Sequence, residues 1–177
     1  MSSIDLTEEQ VLIKNKASSL DDVRSISFWG AKIGNVDVVS RMPNLESAAL
    51  SANNITSLRA FSCCPNLREL FVRRNKIETL SEFDFLKNLN NLRVLWASDN
   101  PVSKLSNYRE YIINALPQIT KLDEVDITDE EREAAKSSDQ SSANKSHPRN
   151  LSPSETGNSN FLVAAISLVQ ELSPNQL

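Results

Sequence analysis

Residues 93–101 read Arg-Val-Leu-Trp-Ala-Ser-Asp-Asn-Pro (RVLWASDNP). Leu95 and Ala97 have the character of the inward side of a short strand, and strand side chains alternate between faces. Trp96, between them, then points away from the core. A tryptophan placed there asks for a repeating architecture with a working outer face, and repeats are what the rest of the chain supplies.

Leu45 to Ile55 (LESAALSANNI) has the form LxxLxLxxNxL with Ala48 in the second slot. Leu67 to Ile77 (LRELFVRRNKI) fits throughout, and Leu92 to Val102 (LRVLWASDNPV) fits with a small third residue. A degenerate earlier copy runs through Val23, Ile26, Phe28, Ala31 and Ile33, with alanine in place of the asparagine, and a half copy holds Ile119 and Leu122. The first positions, 23, 45, 67, 92 and 119, are 22, 22, 25 and 27 residues apart. A second pattern is in phase with the first: MPNL (42–45), CPNL (64–67), LNNL (89–92) and LPQI (116–119) each lead into a strand. Two patterns in register define a leucine-rich-repeat array. The fold class is α/β: a solenoid with a parallel concave sheet and a helical cap at each end.

The slots carry the physics. Apolar positions point inward and stack on the next repeat. Asn53, Asn75 and Asn100 form a column whose amides satisfy backbone groups at the turn. On the return side Val36 and Val39, Leu58 and Phe61, and Leu86 and Leu89 fill the core, and their spacing of three predicts short helical or 3₁₀ turns. Cys64 shares a slot with Met42, Leu89 and Leu116 and reads as a small core hydrophobe, whereas Cys63 shares one with Arg41, Asn88 and Ala115 and should be exposed.

Stacked repeats need capping. Thr7-Glu8-Glu9-Gln10 is a capping box and predicts a helix from about Glu8 to Ala17 that brings Val11, Leu12 and Ile13 to the first repeat. At the other end Tyr108, Tyr111, Ile112 and Leu116 make the apolar stripe of a capping helix. The expected organisation is an N-terminal capping helix in 1–18, the repeat domain with its C-terminal cap in 19–128, a mostly disordered linker in 129–159 and an apolar helix in 160–173.

The 177 residues carry a net charge of −4 and are 40% hydrophobic. So mild a charge gives no bulk attraction to nucleic acid or acidic substrates, and no run reaches the roughly 18–20 apolar residues of a membrane helix. No basic region followed by an apolar core opens the chain, so no signal peptide is visible. Two adjacent cysteines make neither a disulfide framework nor a metal spacing. His147 sits in a Ser-rich stretch without a partner, and no catalytic triad or phosphate-cradling loop can be assembled. The chain is expected to be no enzyme, with no cofactor and no metal.

Function then falls to the concave face. The residues flanking the inward leucines are Ser25, Ser27 and Trp29, then Ser47, Ala49 and Ser51, then Glu69, Phe71 and Arg73, then Val94, Trp96 and Ser98. Trp29, Glu69, Phe71, Arg73, Arg74, Trp96 and Asp99 form the candidate partner-binding site, since aromatics and arginine dominate binding hot spots. Phe71 and Trp96 fall in one slot of adjacent repeats, with Arg73 in reach of both. The alternative is that the aromatics are covered by the chain's own tail or packed flat on the sheet.

The stretch NP…YREYIINALPQITKLD (100–123) resembles the C-terminal cap of the leucine-rich-repeat group that includes the spliceosomal U2 A-prime protein, acidic nuclear phosphoproteins and axonemal proteins. KASSLDDVRSISFWGAKI, ELFVRRNKI and NLRVLWASDNP resemble, more narrowly, the short leucine-rich-repeat proteins of cilia and flagella. That resemblance implies a cytoplasmic adaptor at the basal body or axoneme, a NIMA-related kinase as partner and a C-terminal oligomerising helix. A nuclear ribonucleoprotein scaffold, which would hold an RNA-binding protein rather than nucleic acid itself, and a phosphatase regulatory subunit are the competing readings.

Beyond the cap, Thr128-Asp129-Glu130-Glu131 is another capping box and predicts a helix to about Lys136. Residues 137–160 are rich in Ser, Asn and Pro, contain the phosphosite-like Ser152-Pro153, and bury too little to offset ordering entropy. Phe161, Leu162, Ala165, Ile166, Leu168, Val169 and Leu172 then make a short segment apolar nearly all round, which must be buried. Self-association as a homo-oligomer, docking on a partner and folding back on the solenoid all satisfy that requirement.

Overall fold

The computed structural model describes residues 3–142, with side chains to residue 137. The proposed apolar helix of 160–173, Ser152 and His147 lie outside the described residues.

Each repeat contributes one three-residue strand: β2 (Ser25–Ser27), β4 (Ser47–Ala49), β5 (Glu69–Phe71) and β6 (Val94–Trp96). They join β7 (Lys121–Leu122) and β8 (Val125–Asp126) in a six-stranded sheet of order β2-β4-β5-β6-β7-β8, parallel except for the last pair. Register follows the repeat: Ile26 pairs with Ala48, Ala48 with Leu70, Leu70 with Leu95 and Leu95 with Leu122, all fully buried. The chain returns through 3₁₀ turns at Asp37–Arg41, Arg59–Cys63 and Leu80–Leu86. The third has seven residues against five in the first two, so the extra length of the third repeat is taken up on the return side and the strand register is untouched. Val36, Val39, Leu58, Phe61, Cys64, Leu86 and Leu89 are buried as the slots require, and Cys63 is exposed. Burial, and secondly the neighbouring Cys63, pushes the Cys64 thiol up to about 12, so it stays protonated.

The asparagine column is a ladder of shared carbonyls. Asn75 Nδ2 donates to Leu50 O (3.0 Å) and Val72 O (2.9 Å), and its Oδ1 accepts from Ile55 N (3.0 Å). Asn53 and Asn100 repeat the pattern, with Asn53 Nδ2 also on Leu50 O and Asn100 Nδ2 also on Val72 O. A second, exposed ladder runs through the MPNL, CPNL and LNNL motifs: Asn44, Asn66 and Asn91 donate from Nδ2 to the oxygens of Asp21, Pro43 and Pro65. The turn before each inner rung is left-handed, at Gly30 (φ 65°), Ala52 (59°), Arg74 (57°) and Asp99 (59°). Only at Gly30 is that conformation free of the Cβ clash, which is worth about 1–2 kcal/mol per residue.

At the front, α1 (Glu8–Asn15) starts at the Thr7–Gln10 capping box, both reciprocal bonds being formed. It ends two residues before the expected Ala17, at a left-handed Lys16. Val11 is buried and Leu12 packs against the core, but Ile13 is 70% exposed. A helix of eight residues turns one narrow face inward, and Ile13, two positions past Val11, is carried about 200° round the axis. Ahead of α1, β1 (Ile4–Asp5) pairs in parallel with β3 (Ile33–Asn35). At Gly34 the chains meet closely: a Cβ there would lie 2.6 Å from both Cβ and Oγ of Ser3.

At the back, α2 (Tyr108–Ala115) buries Tyr108, Ile112 and Ile113, and Leu116 just after it is buried too. The Thr128 capping box forms as read, but the helix it opens, α3 (Asp129–Ser142), outruns the expected Lys136. It is docked: Ala135 is 2% exposed, Asn114 Nδ2 donates to Ala135 O at 2.7 Å, and Arg109 Nε donates to Glu131 Oε1 at 2.7 Å. Arg132 ties the same helix to the carbonyls of Pro117 and Ile119. The folded body therefore takes in a stretch that its composition assigns to the linker.

Candidate functional site

The sheet alternation places the candidate residues outside the core, as the repeat phase requires. Phe71 and Trp96 stand side by side on β5 and β6, aligned in the ladder, with ring centroids 5.0 Å apart at 86°. This edge-to-face arrangement is favoured by the ring quadrupoles. Both are half-buried. Trp96 Nε1 is shielded from water and has no hydrogen-bond partner among the described residues, an unpaired donor of the kind that costs about 1–3 kcal/mol.

Around this pair lies a charged rim. Asp99 Oδ2 accepts from Arg73 Nε (2.9 Å) and Arg74 Nε (3.3 Å). Glu124 Oε1 lies 3.6 Å from the other side of the Arg73 guanidinium. The Arg73 hydrogen bond, more than any other contact, lowers the Asp99 carboxyl below the usual carboxylate range, and the same bond raises Arg73. The left-handed backbone at Arg74 and Asp99 is what brings these consecutive-repeat side chains to one point. Arg73 is thus pinned by two carboxylates rather than left free to lie along the aromatic rings. Glu69 is exposed and accepts from Ser47 Oγ at 3.1 Å.

Trp29 is apart from this group. It is 73% exposed and follows β2, two strand spacings from Phe71's strand, or about 9.6 Å. The repeat between them presents only Ser47, Ala49 and Ser51. The seven candidates thus resolve into a cluster of Phe71, Trp96, Arg73, Arg74 and Asp99 with Glu69 at its margin, and a lone Trp29.

Two residues of the cap escaped the repeat pattern. Asp123 and Glu124 form the two-residue turn joining β7 to β8, with φ of 51° and 69°. Asp123 Oδ1 accepts from the backbone nitrogens of Ala97 (2.7 Å) and Ser98 (2.8 Å), and Oδ2 accepts from the Tyr108 hydroxyl (2.7 Å). It closes the sheet directly behind Trp96. Burial, followed by the Asp123 charge, raises the Tyr108 hydroxyl above its ordinary value, so Tyr108 remains a donor. The available signal was the position of Leu122-Asp123, right after the last inward leucine. Among the described residues no group of three metal-ligating side chains comes together, and no helix is long and apolar enough to cross a membrane.

A curved parallel sheet with aromatics on its outer face and a ladder of asparagines inside defines a leucine-rich-repeat protein. The chain belongs to the leucine-rich-repeat family, whose model matches residues 3–152. It is 40% identical over 128 residues to the human protein named cilia- and flagella-associated protein 410, covering 71% of this chain and 50% of that one. The mouse protein of the same name is also 40% identical over 128 residues, with 71% and 51% covered. The chain therefore spans about half the length of the curated relatives it matches. The crystal structure of the Drosophila melanogaster SNF/U2A′ complex contains a similar fold, at a TM-score of 0.61 and 28% identity over 67% of this chain and 69% of that one.

Proposed function

We propose that the chain is a non-enzymatic adaptor of cilia or flagella, working at the basal body or axoneme, and that its concave face holds a protein partner. The observation that carries this is the Phe71–Trp96 pair: two half-exposed aromatics in a charged rim, on a chain whose 40% identical relatives are named for cilia and flagella. Aromatic anchors inside a polar rim are the composition of a binding hot spot. The rim ion pairs hold the arginines in fixed positions before any partner arrives, which lowers the ordering entropy of docking. A NIMA-related kinase is the proposed partner. The apolar segment containing Phe161 and Leu172 is proposed to add a second attachment, by self-association or on the same partner, and so to raise avidity.

The test is localisation and capture with a fluorescent fusion of the full chain. Wild type should concentrate at the ciliary base and co-purify with a NIMA-related kinase. Trp96→Ala and Arg74→Glu should lose both, with Arg74→Glu, an exposed rim change, leaving thermal stability near that of wild type. Wild-type behaviour from both variants would remove the concave site. A second reading, a nuclear ribonucleoprotein scaffold, is favoured by the likeness to the SNF/U2A′ complex; a nuclear rather than ciliary signal would select it.

A further inference from the structure

The two edges of the main sheet are finished differently. At the C-terminal edge β8 runs antiparallel to β7. At the N-terminal edge β2 is the last strand. The bonds to β4 fix its parity: Ser47 N donates to Arg24 O (3.1 Å), and Phe28 N donates to Ala49 O (2.8 Å). Residues 24, 26 and 28 therefore face β4, and the backbone groups of Ser25, Ser27 and Trp29 face outward. All three residues are exposed, and no backbone bond among the described residues reaches them from that side. Helix α1 of the cap lies against β2, but the side chains of Ser25, Ser27 and Trp29 stay exposed beside it. No proline, bulge or inward charge interrupts Ser25-Ile26-Ser27, and its three-residue length is that of every full repeat strand in the sheet.

We propose that two copies of this chain join edge to edge along β2, antiparallel, about a two-fold axis at Ile26. The proposal is independent of the concave-face reading. In this register Ser25 of each copy stands opposite Ser27 of the other, in about four inter-chain hydrogen bonds, since each such pair exchanges two. The exposed side chains at the pairing centre, Ser25 and Ser27, are small and uncharged, while Ile26 on the axis points into its own core. The flanks favour a second copy over an unrelated strand. Asp21 and Asp22 precede β2, and Lys32 follows it; all three are exposed and have no ion pair among the described residues. An antiparallel two-fold lays the 21–22 turn of one copy against the 30–32 turn of the other, so acid meets lysine twice. Trp29 falls opposite Val23 of the second copy, at the margin of the paired segment.

The test uses the full chain with Cys63→Ser, Cys64 being buried. Ser25→Cys and Ser27→Cys are made separately, given different tags, mixed and mildly oxidised. Directly paired residues have Cα atoms about 5.5 Å apart, inside disulfide range, whereas Ser25 against Ser25 is displaced diagonally beyond about 7 Å, outside it. The expected result is a disulfide-linked heterodimer from the Ser25→Cys plus Ser27→Cys mixture, at least several-fold above Ser25→Cys alone or Ser25→Cys mixed with Ser51→Cys. Association through the C-terminal segment would raise all three mixtures together and would not reproduce the selectivity. Equal yields in the three mixtures, or no linkage in any, would overturn the proposal; the latter is also the result if the edge takes a strand from another protein.

Discussion

Asn75→Ala tests the inner ladder most sharply, because the bonds around it are shared. Leu50 O receives both Asn75 Nδ2 (3.0 Å) and Asn53 Nδ2 (2.9 Å), and Val72 O receives both Asn75 Nδ2 (2.9 Å) and Asn100 Nδ2 (3.0 Å). Removing the Asn75 amide leaves each carbonyl one side-chain donor. Only the Ile55 N–H, which donates to Asn75 Oδ1 at 3.0 Å, is stranded. A stranded buried donor costs about 1–3 kcal/mol and each lost but replaceable bond about 1 kcal/mol, so the loss should be about 3–5 kcal/mol. That is a large share of the stability of a domain this size. Asn66→Ala is the control. It also breaks an inter-repeat amide bond, to Pro43 O at 3.1 Å, but an exposed one, and water replaces it for less than about 1 kcal/mol. Urea unfolding followed by far-UV circular dichroism measures both, provided the slope is unchanged. Combining Asn53→Ala with Asn75→Ala takes both side-chain donors from Leu50 O, so the pair should exceed the sum of the singles by about 1–3 kcal/mol. Equal effects from Asn75→Ala and Asn66→Ala would refute the reasoning.

Three further outcomes are expected. Glu124→Gly should raise stability by about 0.5–1 kcal/mol, because Glu124 holds a left-handed conformation in the β7–β8 turn where glycine is unstrained; the midpoint of thermal unfolding reads it. Gly34→Ala should push Ser3 away and release β1, so the Ile4 and Leu6 amides, bonded to Lys32 O and Asn35 O at 3.0 and 2.9 Å, exchange hydrogen faster while β4 to β6 keep their protection. The Arg109 guanidinium, and after it the Thr128 backbone N–H, hold the Glu131 carboxyl at about 2 against an ordinary 4.5. The folded value is the lower one, so this stabilisation is complete above about pH 4.5 and is lost as pH falls toward 2. Glu131→Gln should flatten that part of the stability profile, by a modest amount because the pair is about one-third exposed and solvent-screened.

The repeat was legible because each slot obeys a rule local to its own copy. Leucines alternate in, asparagines recur at the turn, and MPNL, CPNL, LNNL and LPQI mark the strand entries. The position of Trp96 outside the core followed from parity alone, as did the burial of Cys64. What was not legible depends on which copies become neighbours. Asp123 reaches Ala97 and Ser98 across 25 or more residues, and Arg73 meets Asp99 of the next repeat across 26. Composition placed residues 129–142 in a linker; Arg109, Asn114 and the carbonyls of Pro117 and Ile119 supply the polar contacts that dock them. Ile13 looked like part of an apolar cap because three apolar residues in a row do not reveal which one an eight-residue helix turns to water.

The chain contains two tryptophans, and the fold puts them in opposite surroundings. One indole is bathed in solvent, while the other is tucked against a phenyl ring with its N–H sealed off. The protein thereby carries two intrinsic optical probes, one red-emitting and open to iodide quenching, the other bluer and sheltered. A ligand in the hollow and an association at the first strand would be told apart in a single cuvette, without any label.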